Sequence, residues 1–234
     1  MRFRNRVLSS IREEDIVALR PHLREIYVSR GQILIPENTR VAHVYFPSSA
    51  VLSSVIVLED GRQCEVSTLG TEGLGGGLAC LTGEASTERL FAQIAGGLIA
   101  LPAEILKAQA LASPLLLNLL LQRLQASQVE AGQGVACNAL HEAPARLARW
   151  LLMTMDRIGA TEFPLTQTYL AVMVGVQRTT ISGVANRLKQ KGLIGYSRGQ
   201  MTILDPAGLE IEACECYAII RSRSDALGLV DPRD

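Results

Sequence analysis

The chain has 234 residues, 23 basic and 23 acidic side chains and no formal net charge, and 48% of it is hydrophobic. That is enough to bury a core in one domain or, better by pattern, two. The basic N-terminus runs into IREEDIVALR without the apolar core of an export signal; the most membrane-like stretch, 115–121, is cut by Gln122 and Arg123 far short of the ~20 residues a span needs; and five irregularly spaced cysteines do not suit a secreted disulfide framework. A soluble cytoplasmic protein is expected.

Residues 7–24 read as a short helix ending near Pro21, with Ser10 and Glu13 spaced for reciprocal capping. From Ile26 the apolar period falls to two. Segments 33–35, 44–46, 51–57, 64–68, 90–94 and 98–101 alternate with turn signals at Gly31, 36–38, 47–49, Asp60-Gly61 and Gly96-Gly97. This spacing predicts an antiparallel β-roll or jelly roll.

Within the roll, GTEGLGGG at 70–77 is the most unusual composition. It reads either as a cradle of backbone N–H groups for a phosphate or as a tight surface loop between strands.

Ser113-Pro114 is a helix start, and the leucines through Leu124 make that helix apolar on more than one side. Such a helix is either buried within its own chain or covered partly by its twin in a second copy. The second reading places Leu117, Leu120, Leu121 and Leu124 at a dimer interface, with Gly132 and Gly134 loosening the helix end as a hinge. A further helix spans 139–158, with Leu147, Trp150, Leu151 and Met155 on its core side.

Residues 164–204 predict two short helices, a tight turn and a basic hairpin. Thr166 caps the first helix and Gly175 ends it. In the second, Ile181, Val184, Ala185 and Leu188 fall on one stripe, leaving Thr179, Ser182, Gly183, Asn186 and Gln190 opposite, flanked by Arg178, Lys189 and Arg187. Short polar residues for base edges and cations for phosphates are what a groove-entering helix needs. Between Phe163 and Leu204 there are basic residues and no acidic ones, a local positive charge on a neutral chain. Gly192 stops the helix, and 193–196 and 200–204 pair around a turn carrying Arg198, a phosphate-contacting tip. Asp205-Pro206 starts a last helix through Tyr217.

The string LTQTYLAVMVGVQRTTISGVANRLKQKGLIGYSRGQMTILD resembles the winged helix-turn-helix of the Crp/Fnr family of bacterial transcription regulators, and the upstream chain resembles that family's cyclic-nucleotide-binding-type β-roll and long dimer helix. The implied architecture is α+β: a sensor roll over 1–112, a dimerisation helix and hinge over 113–137, and a DNA-binding winged helix-turn-helix over 138–234. The resemblance implies a homodimer on pseudo-palindromic DNA, a small-molecule effector in the roll and RNA polymerase as a further partner. Thr166, Gln167 and Gln177 fall at its phosphate positions and Arg178 and Thr179 at its base-reading positions. Gly183 stands where many members carry a second arginine, which removes one guanine contact.

The family's cyclic-nucleotide cassette points to Gly70, Glu72, Gly73 and Arg89, but it is not intact: Thr82 falls where an arginine is expected, and Arg89 precedes Leu90 rather than a hydroxyl residue. No cofactor is identified, and cyclic-nucleotide binding is disfavoured because a buried phosphate needs a paired cation. The competing function is a ligand-sensing roll acting through protein contacts. No metal is expected, since Cys214 and Cys216, two apart on one helix, would point ~200° from each other. Nor is an enzyme, since no nucleophile-elbow, Walker or zinc-protease pattern occurs.

Overall fold

The computed structural model describes residues 3–197 and 199–226, apart from the side chains of Thr168 and 223–226; Arg198, expected at the hairpin tip, lies outside the described residues. The N-terminal part opens with α1 (Arg6–Ser9) and α2 (Glu13–Leu19) rather than one helix. Asn5 caps α1 and Ser10 ends it, so Ser10 takes no part in a capping box with Glu13.

Nine strands follow: β1 (Arg24–Val28), β2 (Ile33–Ile35), β3 (Thr39–Arg40), β4 (His43–Pro47), β5 (Val51–Val57), β6 (Gln63–Leu69), β7 (Ala85–Ser86), β8 (Arg89–Ile94) and β9 (Gly96–Pro102), with α3 (Gly77–Thr82) between β6 and β7. They pair antiparallel in the orders β1-β9-β4, β2-β8-β5-β6 and β3-β7. All six predicted strands are present. The additional strands escaped the alternation rule because β1 is exposed over most of its length and β3 and β7 have two residues each.

After α4 (Ala103–Ala112), Ser113 caps α5 (Pro114–Leu140), accepting a hydrogen bond from the Leu116 N–H. The α5 helix is continuous past Gly132 and Gly134, neither of which has positive φ, and the chain leaves the helix at His141. Its buried face, Leu116, Leu120 and Arg123, turns toward its own roll. This corrects the placement of Leu120 at a dimer contact: it is 1% exposed and belongs to the intrachain core. Leu117 and Leu124 are half-buried and Leu121 is exposed.

The C-terminal module contains α6 (Ala143–Ile158), β10 (Glu162–Pro164), α7 (Gln167–Val174), α8 (Arg178–Gln190), β11 (Ile194–Ser197), β12 (Gln200–Ile203), α9 (Pro206–Glu212) and α10 (Cys216–Ala226). The hairpin β11–β12 gains a third strand, in the order β10-β12-β11. The predicted last helix is two helices. Ala213 is extended (φ −76°, ψ 154°), which takes Cys214 out of helical register and removes the expected divergence from Cys216.

Roll and module share one apolar core: Val51, Val55, Phe91 and Ile94 of the roll pack with Trp150, Leu170 and Met173. Among the described residues no single helix is long and apolar enough to cross a membrane.

Candidate nucleic-acid interface

The α7–α8 unit is built by local chemistry. Thr166 Oγ1 accepts from the Tyr169 N–H at 3.3 Å, satisfying one of the free donors at the helix start. Gly175 takes the left-handed conformation (φ 67°) that the sharp turn requires and that a side chain would resist. Ile181, Val184, Ala185 and Leu188 are all buried, as the period predicts. Removing those four from water fixes the rotation of α8, and its opposite face is forced outward.

Gln177, Arg178, Thr179, Asn186 and Lys189 are exposed on that face, together with Gly183 and Arg187. Ser182 is half-buried; its hydroxyl has acceptors in Gln167 Oε1 at 2.9 Å and the Arg178 carbonyl at 3.0 Å. Ser182 and Gln167 are therefore already engaged with each other, tying the start of α7 to α8. Thr166 is half-buried beside them. Gln177 precedes α8 without a side-chain cap, so the first N–H groups of that helix are available to an anion. Lys191, at the end of the helix, is paired with Glu212 at 2.6 Å.

The other side of the unit rests on the roll. Tyr169 meets Phe91 edge to face, with ring centroids 5.8 Å apart, and the Arg30 guanidinium lies 5.3 Å from the Tyr169 ring. Burial pushes the Tyr169 hydroxyl up to about 12. Ser53 Oγ lies 3.7 Å from Met173 Sδ on the same helix.

The residues expected to hold an effector are occupied within the chain. Glu72 pairs with Arg157 of α6 at 3.0 Å and accepts from the Gly70 N–H at 2.9 Å. Burial opposes the charge on Glu72, but Arg157 and Arg123 outweigh it and hold its pKa below the ordinary value. The Gly73 carbonyl accepts from Asn5 at 2.9 Å, and Arg89 forms a two-pronged pair with Glu37 at 2.6 and 2.8 Å.

Nor is 70–77 a surface loop. Gly70, Gly73, Gly75 and Gly77 are buried, and a Cβ at Gly75 would meet Leu90 at 2.5 Å. Close packing is the physical reason for glycine there. An open hollow of about 470 Å³ lies elsewhere on the roll, between Phe3, Glu25, Tyr27 and Leu98, and none of the four expected effector residues lines it.

Sequence reasoning missed the ion pairs that join roll and module. Arg157 also reaches Glu130 of α5 at 3.4 Å, and Glu130 reaches Arg123 at 3.4 Å. Arg123 and Glu130 lie two turns apart on one face of α5, but Arg157 is 27 positions from Glu130 and 85 from Glu72, and no periodicity signals those two pairs.

Residues 145–211 match the family model of the Crp-like helix-turn-helix domain. The chain is 23% identical over 190 residues to the global nitrogen regulator of Synechococcus elongatus, an alignment covering 77% of this chain and 85% of that protein. Among solved structures, a protein of the Crp/Fnr family from Eubacterium rectale superposes with TM-score 0.71 at 20% identity, over 88% of this chain and 96% of the other. A transcriptional regulator of the CRP/FNR family from Thermus thermophilus superposes with TM-score 0.67 at 22% identity, over 81% and 98%. These structural likenesses carry the fold, and the domain match carries the helix-turn-helix. Residues 145–211 are thus a Crp-like helix-turn-helix domain, and the chain as a whole has the fold of those Crp/Fnr-family structures.

Proposed function

We propose that this chain is a transcription regulator of Crp/Fnr type, a cytoplasmic homodimer that reads a pseudo-palindromic duplex through two copies of α8. The observation that carries the reading is the exposed face of α8, small, polar and basic, on a helix whose apolar stripe is entirely buried. Arg178 and Thr179 reach base edges, with Ser182 and Asn186 beside them. Thr166, Gln167, Gln177 and Lys189 hold phosphates, joined by Arg198. The working division is a sensor roll over 1–112, a dimer helix over 113–137 and a DNA-binding module over 138–234. Contact with RNA polymerase belongs to this reading through the family resemblance.

Two recognition helices on a two-fold axis meet half-sites one DNA turn apart, which makes assembly part of specificity. The outer side of α5 supports it: Leu121 and Val135 are exposed and Leu117, Leu124 and Ala131 half-buried, at positions that follow a four-three rhythm interrupted by Gln128 and suited to a parallel helix pair. A small effector acts on the contact between roll and module, shifting the position of α8 by its preference for one arrangement. Cyclic nucleotide is not that effector, because Glu72 and Arg89 are spent on Arg157 and Glu37.

Selection from a randomised duplex pool, with a salt titration and with and without cyclic AMP, tests this. The expected result is a two-fold symmetric site, insensitive to cyclic AMP, on which Arg178→Ala loses about 1–3 kcal/mol of binding while binding to random DNA changes little. Equal loss on random DNA would make Arg178 a phosphate contact. Salt-insensitive binding to a protein, with no DNA site selected, would replace the reading by one of protein contacts.

A further inference from the structure

Where the last turn of α5 meets the start of α10, the fold gathers Cys137, His141, Cys214 and Cys216, and the ligand atoms of all four lie within 4.8 Å of one another. Cys137 lies in the last turn of α5, and His141 is the residue that ends it, its backbone N–H donating to the Cys137 carbonyl at 3.0 Å. Cys214 sits in the break after α9, and Cys216 is the first residue of α10. We propose that these four residues form a structural zinc site, three thiolates and one imidazole, that fastens the end of the long helix to the C-terminal end of the DNA-binding module.

The dimensions fit one ion. Zinc bonds of ~2.3 Å to sulfur and ~2.0–2.1 Å to nitrogen in a tetrahedron place two sulfurs ~3.8 Å apart and a sulfur and a nitrogen ~3.6 Å apart, so the separations here need change by only a few tenths of an ångström. Cys137 Sγ is 3.4 Å from Cys214 Sγ, and Cys216 Sγ is 3.6 Å from His141 Nδ1. Those separations suit a mononuclear centre; a cluster of several irons would hold its thiolates further apart. Cys137 and Cys216 are fully buried, Cys214 is 8% exposed and the His141 side chain 24%, so the three sulfurs are shielded from solvent, and with four protein ligands no position is left open, as in structural rather than catalytic zinc centres.

The surroundings add independent support. With Nδ1 facing Cys216, the other imidazole nitrogen of His141, Nε2, lies 3.2 Å from the Glu215 carboxylate, the partner that fixes the tautomer of a metal-bound histidine. Gln133 Nε2 donates to Cys216 Sγ at 3.1 Å, a contact that orients this sulfur.

Arg149 completes the case. Its guanidinium is buried and interacts electrostatically with Cys137, yet its hydrogen-bond contact is the Met153 sulfur and its Nε has no partner among the described residues. A buried cation without a carboxylate is costly. Zinc binding releases the three thiol protons to solvent and leaves a centre of net charge −1, which is the counter-charge Arg149 lacks.

Reduced full-length protein, stripped of metal and titrated with cobalt(II) and then zinc, tests the site. One cobalt per chain is expected, with thiolate-to-cobalt charge transfer, d–d bands of tetrahedral intensity, and bleaching by zinc. Cys64→Ser, at an exposed cysteine outside the group, leaves the spectrum unchanged. Cys216→Ser removes most of the charge-transfer intensity. In case that variant folds poorly, Glu215→Gln at an exposed position keeps every ligand and lowers zinc affinity about 10- to 100-fold. The proposal is overturned by folded, reduced protein that takes up no cobalt, by a spectrum indifferent to Cys216→Ser, by isolation with several irons and inorganic sulfide per chain, or by a Cys137–Cys214 disulfide whose reduction yields no metal binding.

Discussion

Trp150 of α6 donates its indole N–H to the carboxylate of Glu65 on β6 at 2.8 Å, joining the DNA-binding module to the roll. Ser53 donates to the other oxygen of the same carboxylate at 2.7 Å. Burial raises the Glu65 pKa above its ordinary value, against the opposing pull of these hydrogen bonds and of Arg157. The contact between the roll and the C-terminal module thus contains an acid that resists ionisation.

A carboxyl with a raised folded-state pKa stabilises fully below its unfolded value near 4.5, and that stabilisation is lost as pH rises through the folded value. Glu65→Gln keeps an acceptor for Trp150 and a polar partner for Ser53 but cannot ionise. The variant should be more stable than the parent at neutral pH, with the gap closing toward pH ~4.5. Urea midpoints measured across pH check this. A gap independent of pH would show that Glu65 does not titrate as inferred.

Arg157 carries the complementary behaviour. It sits between Glu72 and Glu130, and all three side chains are close to fully buried. Arg157→Ala leaves two buried carboxylates with their principal cation gone, which should cost about 3–5 kcal/mol. Because Glu72 has a lowered pKa, its contribution is present above pH ~4.5 and lost on acidification, so the penalty should be largest at neutral pH and shrink in acid. Denaturation of parent and variant at both pH values measures it; an equal penalty in acid would point to lost packing instead.

What the sequence made legible was local. The Thr166 cap, the Gly175 turn, the buried stripe of α8 and the alternating strands each follow from residues a few positions apart. What it hid was assembled across distance: Glu72 with Arg157, Glu65 with Trp150 and Cys137 with Cys214 are separated by 77 to 85 positions. The break at Ala213 was invisible for another reason, since neither glycine nor proline marks it. That one extended residue turned two cysteines predicted to diverge into neighbours. Leu120 illustrates a third limit: a helix apolar on two sides reveals two contacts but not which leucine serves which.

The two faces of α5 make separable predictions. Leu121→Arg places a charge on the exposed face, where the side chain is 51% exposed within one chain, and should yield a folded monomer by light scattering. Leu120→Ala acts on the intrachain core and should cost about 2–5 kcal/mol of stability while leaving the assembly of the folded fraction unchanged. A dimer that survives Leu121→Arg would move the two-fold contact away from this helix face.

Lys189 offers the clearest division between holding DNA and reading it. It is exposed near the end of α8, where its flexible ammonium suits a phosphate rather than a base edge. A lysine that neutralises one phosphate releases about one condensed counterion, so Lys189→Ala should weaken binding to every duplex by a similar factor. It should also flatten the plot of log affinity against log salt by about one unit. In a symmetric dimer both subunits carry the change, and the flattening approaches about two units. Titrations of parent and variant on the selected site and on a scrambled duplex, at several salt concentrations, separate the cases. A loss confined to the selected site, with the salt slope unchanged, would move Lys189 from the phosphate contacts to the base-reading set beside Arg178.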